Sequence, residues 1–500
     1  MMRPGPSSRL RGVRMVVQRR RRGQGQEGIT WPLRQSTKQS RGSWSCSLGV
    51  SLGMPHNGAQ LGPCRARRGI VVGSRRWFLL GTSEDGAVRM RLGALVWGLA
   101  ILGVSGVAGA EGVLHVGTAA TTVNPPEGAF LAGYTFNRTS TGVHDDLFAK
   151  AIVFDDGTAR LALVVVDCIG LQYDTVCAIR ETVGERVDLL PPERIVIQST
   201  HTHCGPDVIG LWGPNILTTG RMPEYMASLV TMAAAQVIEA AVRLKPATAV
   251  YAQTECKGWA VNDSEPDVLD NAVTVLQFLD EHGQSIATLT HFACHPTVLD
   301  EKTTEVSADW VGAFCAAMAD ALPGEHLFLQ GAVGCWIQPE TPERTFALAE
   351  TYGRDLAHKT LAALETPVAL GDVKLRSARK VFGIPVAEKT PLRAFAKRGI
   401  IVRPIGETVE TEAAWFALGP AQFATHPGES APLFAEKTRA LMDTGPKFVL
   451  GLGLDELGYI CPAAYFDTPD AFAHGSYLIS MSPGRDAGAT LMRALADIIP

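Results

Sequence analysis

Short, β-branched apolar runs that alternate with helical patterns constrain this chain most. Leu161–Asp167 (LALVVVD) and Arg194–Thr200 (RIVIQST) lack the alternation of a strand with one wet face, and read as strands buried on both sides. Ser285–Phe292 and Leu327–Gln330 read the same way. Between them lie helical patterns at Pro223–Leu244, opened by a proline in its first turn, and at Asp309–Leu322, Glu343–Leu364 and Ala431–Asp443. Val368–Val386 is a weaker, turn-rich β stretch, and no internal repeat is visible. The alternation predicts an α/β fold, with a central mixed or parallel sheet covered by helices and a site at the carboxyl ends of the strands.

Charge divides the chain near residue 110. Residues 1–89 carry 17 Lys and Arg against 3 Asp and Glu, with little apolar periodicity, so they are expected to be a disordered basic extension. Met90-Arg91, the apolar run Leu92–Val107 and Ala108-Gly109-Ala110 have the three-part layout of a secretory signal peptide, which points to Met90 as the true start. Export to a periplasm or the exterior follows, with anchoring by the same segment as the alternative; the run is short for a membrane span. A twin-arginine motif at Ser74–Leu79 is weakened by Glu84 and Asp85. Residues 111–500, the expected folded domain, hold 28 basic and 47 acidic residues, a poor balance for binding nucleic acid. Their eight cysteines permit disulfides in an exported chain, and the absence of a CxxC spacing excludes a cysteine-only zinc site.

Chemistry-bearing residues gather where the predicted strands stop. Thr200-His201-Thr202-His203-Cys204-Gly205-Pro206 offers two imidazoles that share one side of an extended backbone, either as metal ligands or as a polar turn. His295 sits before Pro296, which biases it out of helix; it is a ligand or a satisfied buried histidine. Glu429 precedes a helix and is a ligand or a cap. Tyr459 follows the apolar run Phe448–Leu454; it is a packing residue unless a divalent cation beside it lowers its pKa.

Taken in order, the motifs Leu131-Ala132-Gly133-Tyr134, Gly142-Val143-His144-Asp145, Thr200–Pro206, Ala293-Cys294-His295-Pro296-Thr297, Ser307-Ala308-Asp309-Trp310, Gln330-Gly331-Ala332 and Pro427-Gly428-Glu429 resemble the neutral (non-lysosomal) ceramidase family, exported zinc amidases, over residues 113–498. The resemblance implies Zn2+ held by His201, His295, Glu429 and Tyr459. It further implies oxyanion stabilisation by His203 and a transition-state role for Tyr477. The substrate it implies is a linear amide, N-acylsphingosine or a relative, cleaved to an amine and a fatty acid, with peripheral membrane contact compatible with such a lipid. Zinc lowers the pKa of a bound water toward about 7 and polarises a carbonyl, which suits this reaction.

Two positions depart from the family pattern. Gly334-Cys335-Trp336-Ile337-Gln338-Pro339 has neither the aspartate nor the serine found there, the serine being a proposed nucleophile, and no arginine stands near Val261-Asn262-Asp263. Cys335 is a thiol substitute or an inert buried cysteine. The C-terminal immunoglobulin-like domain of full-length ceramidases is not represented. These departures keep a second function class open: a zinc-binding, catalytically inert exported binding protein.

Overall fold

The computed structural model describes residues 113–500; the expectations for the basic extension and the signal segment lie outside the described residues. The predicted strands and helices form, but the strands are divided among three mixed sheets. In the first, β1 (His115–Thr122), β2 (Phe148–Asp155) and β3 (Arg160–Val166) run antiparallel in succession. Helix α1 (Tyr173–Val183) then crosses to β4 (Ile195–Ser199), parallel to β3, and α2 (Pro223–Val242) returns over β1 and β2. Although α2 is apolar along 20 residues, its buried residues, among them Leu229, Ala233 and Val237, face this core.

The second sheet repeats the plan. Strands β5 (Thr248–Glu255), β6 (Ala272–Leu279) and β7 (Ser285–Phe292) are antiparallel; α3 (Trp310–Ala321) leads to β8 (Glu325–Gln330), parallel to β7. Helix α4 (Phe346–Ala363) packs on α3 and β5. In the third, β9 (Leu375–Pro385), β10 (Thr408–Leu418) and β11 (Ala421–Thr425) are again antiparallel, with α5 (Pro391–Lys397) in the β9–β10 connection. Helix α6 (Pro432–Leu441) leads to β12 (Lys447–Leu450), parallel to β11. After the short α7 (Gly475–Ser480), α8 (Ala487–Ala496) packs on α6, β9 and β10. One βββαβα plan is thus used three times. The sequence shows no repeat because the plan needs only apolar strands and amphipathic helices, which many unrelated sequences satisfy.

The last strands of the three units meet. Gln198 at the end of β4 donates through Nε2 to the carbonyls of Gln330 (2.6 Å), at the end of β8, and Gly451 (2.9 Å), just past β12. Gly451 N donates to Gln330 O at 3.1 Å. A buried ion pair further ties the first unit to the third: Arg180 on α1 holds both oxygens of Glu412 on β10, at 2.9 and 3.1 Å. Because breaking such a pair strands a buried charge, it fixes the relative placement of the units more than it adds stability. The carboxyl ends of β4, β8 and β12 therefore face one region.

Candidate metal centre

His201 stands two residues beyond β4 with φ +74, a left-handed conformation that costs a non-glycine residue about 1–2 kcal/mol. It is held by its amide donating to Cys168 O (2.9 Å) and its Nδ1 donating to Ile169 O (2.5 Å), both just past β3. The backbone here is not the extended one expected, yet His201 and His203 still address one space, their rings edge to face with centroids 5.0 Å apart. His295, three residues past β7, donates both its amide (3.0 Å) and its Nδ1 (2.5 Å) to Ile337 O. Its own carbonyl accepts from Trp310 Nε1 at 2.9 Å, and Asp309, at the start of α3, gathers the amides of Val298, Leu299 and Trp310.

Glu429 does not cap α6, whose N-cap is Ala431. It lies in a two-residue strand paired in parallel with Tyr459-Ile460, so Glu429 and Tyr459, 30 positions apart, are direct neighbours. Glu429 Oε2 lies 3.0 Å from His295 Nε2 and 3.5 Å from His201 Nε2. Burial alone would raise the Glu429 pKa; the two adjacent imidazoles bring it down to about 2. With both Nδ1 atoms donating to carbonyls, each Nε2 faces Glu429 either with a second proton, the form that lowers the carboxyl pKa, or, in a neutral ring, with a lone pair that a cation among them would reconcile with the carboxylate. Ligands about 2.0–2.1 Å from a tetrahedral zinc lie about 3.3 Å apart, so these separations fit a shared ion. The four residues that the resemblance implies suit zinc: two imidazoles anchored through Nδ1, a carboxylate between them, and a tyrosine in register with it.

The structure also groups His201, His203 and His295, with a donor atom of each within 4.8 Å of the others. His203 differs from the other two. Neither of its ring nitrogens makes a well-formed hydrogen bond, although the Gly133 backbone lies beside the ring, so it lacks the carbonyl anchor that orients His201 and His295. Its position is set by packing: Tyr134 lies against the ring at 5.0 Å, and any Cβ at Gly133 (φ +94) would collide with it. Burial, then His201 and His295, hold its pKa well below the ordinary value, leaving it neutral with an N–H to give. Tyr459 is buried, and burial followed by Glu429 raises its pKa well above the ordinary value without a metal. Tyr477 on α7 is half-exposed, 6.0 Å from the Tyr459 ring centroid to centroid; burial of its hydroxyl end and Glu429 push its pKa up to about 12.

His201, His203, Glu429, Tyr459 and Tyr477 share one cleft, with apolar walls that include Ile209, Leu211, Trp212, Leu392, Ile401 and Val409. Arginine reaches this cleft as Arg403, from beyond α5 rather than from near residue 262. Several working residues lie in motifs whose role the sequence does not reveal. Gln330 Nε2 donates to Thr200 O (3.0 Å) and Cys294 O (2.9 Å), and its Oε1 accepts from Cys294 N (3.2 Å), so it binds the residues just before both histidines. Its motif was apparent, but this clamp needs three dimensions. Ser307 Oγ and Ala308 N likewise donate to Asp145 at 2.5 and 2.8 Å, joining two motifs 162 residues apart.

Cys335 points away from the cleft. Its thiol contacts Tyr465 Oη at 3.1 Å and Glu265 Oε2 at 3.4 Å, and burial pushes its pKa well above the ordinary value. Cys335→Ala is therefore expected to leave turnover within about threefold of wild type, read by rate assay, and in the folded wild-type protein Cys335 is expected to stay unmodified by a thiol alkylator, read by mass spectrometry. All eight cysteines of residues 111–500 carry free thiols rather than the disulfides their number permits.

Over residues 114–330 the chain matches the family described as neutral/alkaline non-lysosomal ceramidase, N-terminal. That match takes in less than half of the 500 residues, and over it the chain is similar to the neutral ceramidases. Neutral ceramidase 1 of Arabidopsis thaliana is 23% identical over 235 residues, 43% of this chain and 28% of that protein. The neutral ceramidase of Drosophila pseudoobscura pseudoobscura is 24% identical over 234 residues, covering 43% and 33%. These matches thus span a third or less of the curated ceramidases. The crystal structure of neutral ceramidase from Pseudomonas aeruginosa has the same fold: TM-score 0.63 at 16% identity, over 77% of this chain and 74% of that one. A ceramidase complexed with C2 aligns equally well, with TM-score 0.63 at 15% identity.

Proposed function

We propose that this chain is an exported, zinc-dependent amidohydrolase that cleaves a linear lipid amide of the N-acylsphingosine type to an amine and a fatty acid. The observation that carries this reading is the approach of two carbonyl-anchored imidazoles, His201 and His295, to a single carboxylate oxygen of Glu429. Zinc held by these residues and Tyr459 would supply an activated water and a Lewis acid for the carbonyl. Beside it, Tyr459 keeps its phenol against Glu429, where a divalent cation reverses the effect of burial on its pKa. His203, neutral and without a carbonyl anchor, donates its N–H to the oxyanion that forms as the amide carbonyl is attacked. Tyr477, at the edge of the cleft, holds a proton at its hydroxyl for the departing amine. The apolar walls take the hydrocarbon and exclude water from the reacting centre. Cys335 has no part in this chemistry.

Export rests on the signal-like pattern of residues 90–110. The test is to recover the native protein from outside the cytoplasm and sequence its N-terminus, count its metal, and assay it on a panel of N-acyl amides. A start near Glu111, about one zinc per chain, and turnover abolished by a chelator and restored by zinc are expected. Full zinc occupancy with no turnover on amides or esters identifies an inert binding protein instead.

A further inference from the structure

The cleft holds two buried acceptor oxygens that the proposed chemistry does not use. Glu456 is 7% exposed; its Oε1 accepts from Gly458 N at 2.8 Å, and its Oε2 has no partner. Gln172, 3% exposed, has an unpartnered Oε1 and lines the same cleft. The pair is built in place. Asp455, fully buried, accepts from the amides of Tyr173 (2.9 Å) and Glu456 (2.8 Å), bringing the residue after Gln172 and Glu456 itself to one carboxylate. Asp455 is fixed in turn by Arg403 (2.5 Å) and Thr411 (2.7 Å), which occupies the arginine nearest to Glu456 along this wall. Gly170 completes the fit, since a Cβ there would lie 2.6 Å from Glu456 Cγ. Leaving a buried acceptor unpaired is costly, more so for a carboxylate, so such groups mark a ligand that supplies donors.

We propose that Glu456 and Gln172 form a specificity subsite for a hydrogen-bond donor, hydroxyl or ammonium, carried by the amine half of the substrate. The apolar walls suit an acyl chain and leave this polar pair to the other half, an assignment that rests on the amidase reading above. The test uses zinc-loaded protein and three amides with the same acyl chain, whose amine halves end in a plain alkyl, a hydroxyl or an ammonium group. In Glu456→Leu the kcat/KM ratio of donor-bearing over alkyl amide is expected to fall about 10- to 100-fold, with zinc content unchanged. Glu456→Gln separates the sources: it keeps an acceptor for a hydroxyl but cannot take the negative charge that an ammonium would draw from a carboxyl whose pKa burial and Glu429 hold high. An unchanged ratio in Glu456→Leu and Gln172→Leu overturns the subsite, and loss of zinc in Glu456→Leu assigns Glu456 to the metal instead. If wild type cleaves no amide, the amidase reading fails and calorimetry decides the subsite. A long-chain amino alcohol must then bind at least tenfold more tightly than its donor-free analogue, and that margin must vanish in Glu456→Leu.

Discussion

His201→Ala is expected to lose zinc and turnover together, whereas His203→Ala keeps zinc and loses about 100- to 1000-fold in kcat. The contrast follows from what each ring touches. His201 is locked by Ile169 O with Nε2 facing Glu429, so removing it takes away a donor and leaves Glu429 and His295 without the cation that reconciles them. The loss of metal affinity should exceed the 10- to 100-fold typical of residues that merely orient ligands. His203 has no such anchor. Metal analysis after dialysis, paired with single-turnover rates, separates the two roles. Zinc lost from His203→Ala but kept by His201→Ala would transfer the ligand role from one histidine to the other.

Gln330→Leu is expected to destabilise the protein by about 3–5 kcal/mol and weaken zinc binding about 10- to 100-fold, without touching the ion. The amide of Gln330 is fully buried, and its loss leaves Thr200 O and both backbone groups of Cys294 without that partner. Those groups precede His201 and His295, so the cost falls on the geometry of the donor set. Urea unfolding with chelator gives the stability change, and the same titration with zinc gives the affinity change. A stability loss with unaltered zinc affinity would restrict Gln330 to holding the sheets together.

Much of this was legible in one dimension because buried strands and metal donors are local signals. Ser285–Phe292 reads as a strand with the bounds it has, and the six residues singled out for chemistry all belong to the site's neighbourhood, five of them lining one cleft beside His295. What stayed hidden depends on distant partners. The left-handed backbone at His201 is stabilised by carbonyls more than 30 residues away, so a plain extended reading was natural there. Glu429 resembles a helix cap in sequence because α6 begins three residues later; only its pairing with Tyr459 shows which way it faces. Glu456 and Gln172 carry no motif, and their free oxygens become apparent only once every neighbour has been placed.

The threefold plan also sets an order of events. The first βββαβα unit contributes His201, the second His295, and the third both Glu429 and Tyr459. On the proposed function the donor set is complete only in a chain that includes Tyr459, so retention of the ion would report that all three units are present and folded. The first two units alone would offer only His201 and His295, and a product truncated before Glu429 is expected to fail to retain zinc.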